Sequence, residues 1–314
     1  MKLPGRTIGF GVGILVLITS CAVPSNRHMT PRRALAAAKL DGRVYVAGGW
    51  NGDATQLDIV EMFDASSSQW TATVPLNHAR SQHALVEVVG SIYAVGGWSA
   101  ITGLVPQIER WRPGEPSWRD VSTLPSPRRE PGVALMAGHI VVAGGFSGSS
   151  DADLDGYSSL VEAFEWDTGQ WHSLAPLRVP RRGLQLVNVE GVLFAIGGYN
   201  PWDGFTATVE RYDQQRDAWD TLPWRILPRT WAASAVDESN LVLLGGFNQH
   251  GFQSGVEIIN IHSGDVCAAR LLGTARSWLA AVTTGNHRLA TYGGETANGF
   301  SNAIEEIEVG CGPD

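Results

Sequence analysis

The sequence lacks the signatures of several common enzyme classes. It contains no glycine-rich phosphate-binding loop, no His-Glu-x-x-His zinc motif and no Gly-x-Ser-x-Gly nucleophile turn. Basic residues are scarce and dispersed, since 23 lysines and arginines stand against 31 aspartates and glutamates, for a formal net charge of -8. Because nucleic acids and anionic membrane surfaces select a clustered basic surface, neither is predicted as the main partner.

The first twenty residues form a separate segment. Lys2 and Arg6 precede an apolar run at residues 8–19, which is short for a membrane-spanning helix and typical of a secretion signal. The following ITSC, at residues 18–21, resembles the lipobox of bacterial lipoproteins. This resemblance implies a signal peptide at residues 1–20, lipidation of Cys21, a tether at residues 21–29 and a lipid-anchored location in a bacterial cell envelope. An ordinary signal peptide or a single-span anchor with a chance cysteine is the alternative.

Cysteine is rare, with three in the chain. With Cys21 assigned to the lipid, Cys267 and Cys311 remain, and in an exported protein they most simply form a disulfide. Closing that loop would stabilise the fold by roughly 4 kcal/mol in the chain-entropy model. Two buried free thiols are the alternative.

The chain is built from six copies of one unit. Glycine pairs recur at a period of 48 residues, with a single interval of 53. Such a period indicates an array of equivalent supersecondary units. Three other marks keep phase with the glycines: an arginine about sixteen residues before, an apolar-Glu pair about thirteen residues after, and in four copies a tryptophan nine residues beyond that Glu. The pairs begin at Gly48, Gly96, Gly144, Gly197, Gly245 and Gly293.

Short apolar runs bounded by turn residues lie between these marks. In the second copy they are HALVEVV, SIYAVGG, QIERW and SWRDV. Their lengths predict four strands per unit, and no window has a helical period long enough to compete. A single four-stranded sheet cannot bury both faces, whereas sheets packed radially around an axis can. The strand that precedes each glycine run is rich in alanine, which predicts that it is the innermost one.

At these positions the sequence resembles the kelch family. The resemblance rests on the apolar run into Gly-Gly, on VERYD at residues 209–213, on the spaced tryptophan and on PLRVPR at residues 176–181, and it covers about residues 30 to 309. It implies an all-β, six-bladed kelch-type β-propeller at residues 30–314 with four antiparallel strands per blade. Copies five and six lack the tryptophan, and copy six lacks a fourth strand. An incomplete last blade is therefore expected.

The resemblance also implies a recognition surface at one mouth of the central channel, where the phased arginines and the residues after Gly-Gly would meet. Guanidinium groups bind carboxylate, sulfate or phosphate, while aromatic faces stack on sugars or peptide side chains. An anionic protein segment or glycan is the expected ligand. The alternative is that these arginines pair with the phased glutamates and fasten the blades. The candidate residues are Arg32, Arg80, Arg128, Arg181, Arg229, Arg276, Trp50, Trp98, Phe146, Tyr199 and Phe247.

The third copy carries five extra residues within DADLDGYSSLVE, at residues 151–162. The spacing fits a calcium loop, because hard cations select dense carboxylate and carbonyl oxygens. A structural Ca²⁺ is predicted, and an acidic solvated loop is the alternative. The predicted ligands are Asp151, Asp153, Asp155, the Tyr157 carbonyl and Glu162.

The sequence offers few candidates for catalytic residues. Glu130 follows Arg128 and Arg129 directly, so it is the candidate acid/base if the chain is an enzyme. The sialic acid mutarotases, an exported six-bladed kelch group that works with arginine and acidic residues at the channel mouth, provide that alternative. The preferred interpretation is a non-enzymatic, lipid-anchored binding scaffold.

Overall fold

The computed structural model describes residues 25–26, 28–269, 271–285 and 287–311, and these residues form an all-β fold with one short 3₁₀ turn. Six antiparallel sheets are arranged radially as the blades of a propeller. The predicted six-bladed propeller with four strands per blade is confirmed, although the sixth blade has three strands within the described residues.

The main strands follow the chain from the centre outward in each blade. Blade one contains Ala36–Leu40, Arg43–Ala47, Val60–Asp64 and Gln69–Ala72; blade two contains Ala84–Val88, Ser91–Val95, Gln107–Trp111 and Arg119–Thr123; blade three contains Gly132–Met136, His139–Ala143, Val161–Glu165 and Gln170–Leu174. Blade four contains Gln185–Val189, Val192–Ile196, Val209–Asp213 and Ala218–Leu222; blade five contains Ala233–Asp237, Asn240–Leu244, Val256–Asn260 and Val266–Ala268; blade six contains Ala280–Gly285, Arg288–Tyr292 and Ile304–Glu308.

Shorter elements lie outside the main ladders. Four two-residue hairpins follow the glycine pairs of blades two, four, five and six, and the corresponding loop of blade three holds the 3₁₀ turn. The hairpins pair Trp98–Ser99 with Gly103–Leu104, Tyr199–Asn200 with Gly204–Phe205, Phe247–Asn248 with Gly251–Phe252 and Glu295–Thr296 with Gly299–Phe300; the turn is Leu154–Gly156, and Ser25–Asn26 is a terminal strand.

The core consists of six apolar clusters, one in each interface between adjacent blades of the described chain. The innermost strands of all six blades line a central channel with a volume of about 410 Å³. Small residues such as Ala36, Ala134 and Ala235 are frequent on these strands because space is most limited there.

The phased marks of the sequence tie each blade to the next. In blade one the amide of Gly49 donates to the Arg80 carbonyl of blade two at 2.8 Å, and the same bond recurs around the ring. Gly48 has a φ of 59°, and a Cβ there would lie 2.4 Å from that carbonyl oxygen. Glycine is therefore required by a positive φ and by a close backbone approach together.

The ring closes through blades six and one. Met29 and Leu35 pack with Val282 and Tyr292, and Lys39 Nζ donates to two carbonyls of blade six at 3.0 Å each. Ser25–Asn26 pairs with the outer strand of blade one, so within the described residues it does not supply the missing strand of blade six. Met29 is 1% exposed, so its side chain belongs to the packed interface between blades six and one.

Cys267 and Cys311 are bonded to each other, with their Cα atoms 5.7 Å apart. The bond joins the outer strand of blade five to the residues that follow the last strand of blade six. It therefore ties the end of the incomplete blade to its neighbour.

Candidate functional site

The six phased arginines lie inside the blades. Each side chain is at most 1% exposed and pairs with the phased glutamate of its own blade. In blade two, for example, Arg80 donates to Glu109 at 2.6 Å and to the carbonyls of Gly96 and Gln107. The structure thus corrects the predicted ligand rim, because Arg32, Arg80, Arg128, Arg181, Arg229 and Arg276 use their guanidinium groups within the fold.

The residue that follows each phased arginine reaches the mouth instead. It forms a β-bridge with the residue after Gly-Gly of the same blade, which brings the two predicted loops together. Three of these six positions are arginine, and they supply the cations that the phased arginines do not. The bridges are Arg33 with Trp50, Ser81 with Trp98, Arg129 with Phe146, Arg182 with Tyr199, Thr230 with Phe247, and Ser277 with Glu295.

One residue further on, a closed ring of backbone hydrogen bonds surrounds the channel. Each amide donates to the carbonyl of the equivalent residue in the preceding blade, at 2.9 to 3.1 Å. Each residue has a left-handed φ, between 53° and 63°, although only one of the six is glycine. A bulky L-residue in this region costs about 1 to 2 kcal/mol, so side chains that persist here mark a candidate site. The ring consists of Ala34, Gln82, Glu130, Gly183, Trp231 and Trp278.

Four side chains of this ring form a septum across the mouth of the channel, defined here as Gln82, Glu130, Trp231 and Trp278. The indole rings of Trp231 and Trp278 stack with centroids 4.4 Å apart. Trp231 Nε1 donates to Glu130 at 2.7 Å, and Gln82 Nε2 donates to its other oxygen at 3.2 Å. The same four residues line both the channel beneath and a second cavity above, so the septum separates the two.

Gly183 allows Trp231 to cross from blade five to Glu130 of blade three. A Cβ at Gly183 would lie 2.1 Å from Thr230 Oγ1 and 2.7 Å from Trp231 Cδ1. The single glycine of the ring therefore stands where the indole passes.

The cavity above the septum, called the basin here, has a volume of about 500 Å³. Three cations and three carboxylates line it. Arg182 contacts Asp151 at 2.7 Å and Glu130 at 3.7 Å, Arg129 contacts Asp151 at 3.8 Å, and Arg33 pairs with Glu295. The basin lies at the mouth that the sequence predicted, with different arginines from those predicted.

Aromatic rings lie against the guanidinium groups of these arginines. The Arg33 guanidinium lies 4.8 Å from the Trp50 ring, and Arg129 lies 5.1 Å from Phe146. Such contacts orient a guanidinium without using its N–H groups. Phe146 is fully buried, so it acts as support and not as a ligand contact, whereas Trp50, Trp98, Tyr199 and Phe247 are partly exposed.

A third cavity, of about 240 Å³, opens beside the basin between blades one and two. Trp50 and Trp98 line it together with Arg33 and Arg129. Its indole walls suit an apolar side chain, and the arginines at its edge suit a neighbouring anion.

The two carboxylates that contact Arg182 differ in burial, and their pKa values shift in opposite directions. Burial raises the pKa of Glu130, whose side chain is 2% exposed. The hydrogen bond from Arg182 lowers the pKa of Asp151, whose side chain is 70% exposed. Of these two carboxylates, Glu130 therefore keeps its proton to the higher pH.

The residues predicted to bind calcium point in different directions. Glu162 accepts hydrogen bonds from Arg128 and from Ser126 Oγ at 2.9 Å inside blade three, and Asp151 faces the arginines of the basin. Among the residues that the structure describes, no three His, Cys, Asp or Glu side chains converge as metal ligands. The predicted set of Asp151, Asp153, Asp155, Tyr157 and Glu162 is therefore not assembled, because the repeat had already committed Glu162 to Arg128.

Sequence reasoning missed Arg33, Arg129 and Arg182. The sequence did contain a signal for them, because in three copies a second arginine directly follows the phased one, at residues 32–33, 128–129 and 181–182. The second arginine of each doublet has no equivalent in the other three copies, and that asymmetry distinguishes site from framework.

The predicted lipidation residue Cys21 lies outside the described residues. Within the part of the chain that the structure covers, no helix has the length and apolar character needed to cross a membrane.

The Kelch motif profile matches residues 31–77, 79–125, 127–178 and 180–223. These stretches are blades one to four and exceed half of the chain. The protein belongs to the kelch-repeat family. A segment of 58 residues, 18% of this chain, is 40% identical to Kelch-like protein 4 of Homo sapiens and covers 8% of that protein's length. Kelch propellers commonly bind other proteins, and blades five and six share the fold although they lack the phased tryptophan.

Proposed function

We propose that this kelch propeller is a non-enzymatic binding scaffold whose basin recognises a carboxylate-bearing segment of another protein. One observation carries the proposal: three arginines, Arg33, Arg129 and Arg182, converge on one mouth, and each is oriented by an aromatic ring. Guanidinium groups held in this way bind carboxylates in bidentate fashion at little entropic cost.

The charge distribution supports an anionic ligand. Three arginines lie at one mouth of a chain whose formal charge is -8, and because three carboxylates of the basin balance them, an anionic ligand would bind by replacing the exposed carboxylate of Asp151. The cavity beside the basin would take an apolar side chain of the same segment. We therefore expect a segment with an acidic residue next to an aromatic or aliphatic one.

The proposed location is a bacterial cell envelope, with membrane attachment through a lipid on Cys21 only. This part rests on the lipobox-like residues 18–21. Metabolic labelling with a palmitate analogue tests it: label should appear in the wild-type protein and be absent from Cys21→Ala. Equal labelling of the two proteins would contradict the anchor.

The binding proposal is tested with an array of acidic, neutral and basic peptides and a parallel glycan array. Wild-type protein should select acidic peptides, and Arg129→Gln and Arg182→Gln should each weaken binding about tenfold, the loss expected for one charge-assisted contact. Arg119→Gln makes the same charge change on the outer strand of blade two and should leave binding unchanged. Selection of acidic glycans without acidic peptides would redirect the proposal to a carbohydrate ligand.

A second candidate function has one specific observation in its favour. Burial raises the pKa of Glu130, and this carboxylate lies 3.7 Å from Arg182 in a cavity of sugar size. In a sialic acid mutarotase built this way, Glu130 would serve as the acid/base and the neighbouring arginines would bind the carboxylate of the sugar acid. Proton-exchange NMR on sialic acid anomers decides between the classes, since catalysed exchange that Glu130→Gln abolishes would establish an enzyme.

A further inference from the structure

The five extra residues of blade three form a loop that reaches the basin. Eighteen residues separate Gly144 from Glu162, whereas thirteen separate Gly48 from Glu61. The loop is closed at its base by the bridge between Phe146 and Tyr157, whose ring centroids lie 4.8 Å apart.

The loop is folded on itself, so that Asp151 is presented near its tip. The amide of Asp153 donates to the Ser150 carbonyl at 3.0 Å, and that of Ser147 donates to the Gly156 carbonyl at 2.9 Å. These bonds do not involve the Asp151 carboxylate. Its release from the arginines would therefore leave the loop backbone in place.

Asp151 and Arg182 form an ion pair with very unequal burial. The Arg182 side chain is 7% exposed and lies 5.0 Å from the Phe146 ring and 5.5 Å from the Tyr157 ring. The Asp151 side chain is 70% exposed. The Arg182 guanidinium is therefore held in place whether or not Asp151 contacts it. The Asp151 carboxylate is exposed, so its contact contributes little to stability and another carboxylate can replace it at a small free-energy cost.

Glu130, the other carboxylate that contacts Arg182, is buried and hydrogen-bonded. Glu130 is 2% exposed and accepts hydrogen bonds from Trp231 and Gln82, which makes it a permanent part of the septum. On the outer side, Asp151 is the carboxylate that both Arg182 and Arg129 share.

We propose that Asp151 is an internal competitor: it occupies the carboxylate position of the basin, and a ligand carboxylate must displace it from Arg182 and Arg129. The inference rests on the proposed function and specifies its ligand chemistry. The insertion then acts as a selectivity device, because weakly bound anions fail to replace a carboxylate that is always present at high local concentration.

The test measures the affinity of fluorescein-labelled hexaglutamate by fluorescence anisotropy at physiological ionic strength. Asp151→Asn should raise the affinity roughly two- to fivefold, the range expected for release of an exposed ion pair. Asp155→Asn is the matched control, since it removes the same charge from the same loop and Asp155 makes no ion pair within 4.0 Å in the described structure. Screening should hold its effect below about 1.5-fold. In an Arg182→Gln background, Asp151→Asn should lose its effect.

The outcomes separate this inference from the function on which it rests. If hexaglutamate binds and Arg129→Gln weakens binding, but Asp151→Asn equals Asp155→Asn, the competitor role is wrong and the binding function stands. If neither wild type nor Asp151→Asn binds hexaglutamate or any acidic peptide of the array, both proposals fail for peptides. Binding of free N-acetylneuraminate alone, enhanced by Asp151→Asn, would retain the competitor role and assign the carboxylate to a sugar acid.

Discussion

Arg128 and Arg129 are neighbours in the chain and belong to different parts of the molecule. Arg128 is 1% exposed, pairs with Glu162 and recurs in all six blades. Arg129 is partly exposed, lies over Phe146 and faces Asp151 across the basin. The first position is dictated by the repeat, and the second is free to vary among blades.

This difference indicates how to find a site in a repeat protein. A residue that every copy shares solves a packing problem common to all copies. A residue that some copies have and others lack breaks the symmetry of the ring, and a ligand without sixfold symmetry needs such a break. The septum follows the same rule, since six equivalent ring positions hold Ala34, Gln82, Glu130, Gly183, Trp231 and Trp278.

The largest expected effect is on the free energy of unfolding, which a substitution of a buried phased arginine should lower far more than a substitution of an arginine in the basin. Arg80→Met should lower the free energy of unfolding by about 3 to 5 kcal/mol, because it leaves Glu109 buried without its cation. Arg129→Met should cost less than about 1 kcal/mol, as expected for an exposed ion pair. Urea unfolding of both variants measures the contrast.

The double variant Arg80→Met/Glu109→Met provides the control. Replacing both members of a buried pair removes the stranded charge, so most of the lost stability should return. Equal losses for Arg80→Met and Arg129→Met would contradict the division into framework and site.

A second prediction concerns the room that Gly183 leaves for Trp231. Gly183→Ala should destabilise the protein by about 2 to 4 kcal/mol, since it adds overpacking to an unfavourable φ. Gly169 has a φ of 76°, and no atom lies within 4 Å of the position that its Cβ would occupy, so Gly169→Ala should cost only about 1 kcal/mol. Thermal and urea unfolding compare the two, and equal losses would show that the indole does not depend on this gap.

A third prediction uses the raised pKa of Glu130. Between the ordinary glutamate pKa of about 4.3 and the raised value, the folded state binds more protons than the unfolded state. The stability of wild type relative to Glu130→Gln should therefore fall as the pH rises through that window and level off above it. Parallel unfolding curves at several pH values measure this difference, and a flat difference would mean that Glu130 titrates normally.

The smallest expected effect is that of calcium. Because Glu162 is committed to Arg128 and Asp151 to Arg182, millimolar Ca²⁺ should leave the thermal midpoint unchanged, and a chelator should do the same. Asp151→Asn should respond like wild type. A midpoint that rises with Ca²⁺ and falls with chelator would restore the metal site predicted from residues 151–162.

The acidic loop shows how a spacing pattern and the repeat can assign one side chain to two different roles. Its spacing satisfies a calcium pattern in one dimension, but Glu162 belongs to a strand whose register points its side chain at the phased arginine. The repeat already accounts for Glu162 as the phased glutamate of the third copy, and the structure places it on Arg128. The Cys267 and Cys311 pairing, by contrast, required only a count of the remaining cysteines, and the structure bonds them.

The sequence by itself determined the number of blades and the four-stranded unit of each blade, because its periodic residues report a packing problem that is solved six times. Only the tertiary structure decided which arginines line the basin and which are buried inside the blades, and it alone brought Trp231, Glu130 and Asp151 together from blades five and three. The physical reason is that adjacent residues in a turn point to opposite sides of the backbone, and closing the ring places residues a hundred positions apart in one cavity.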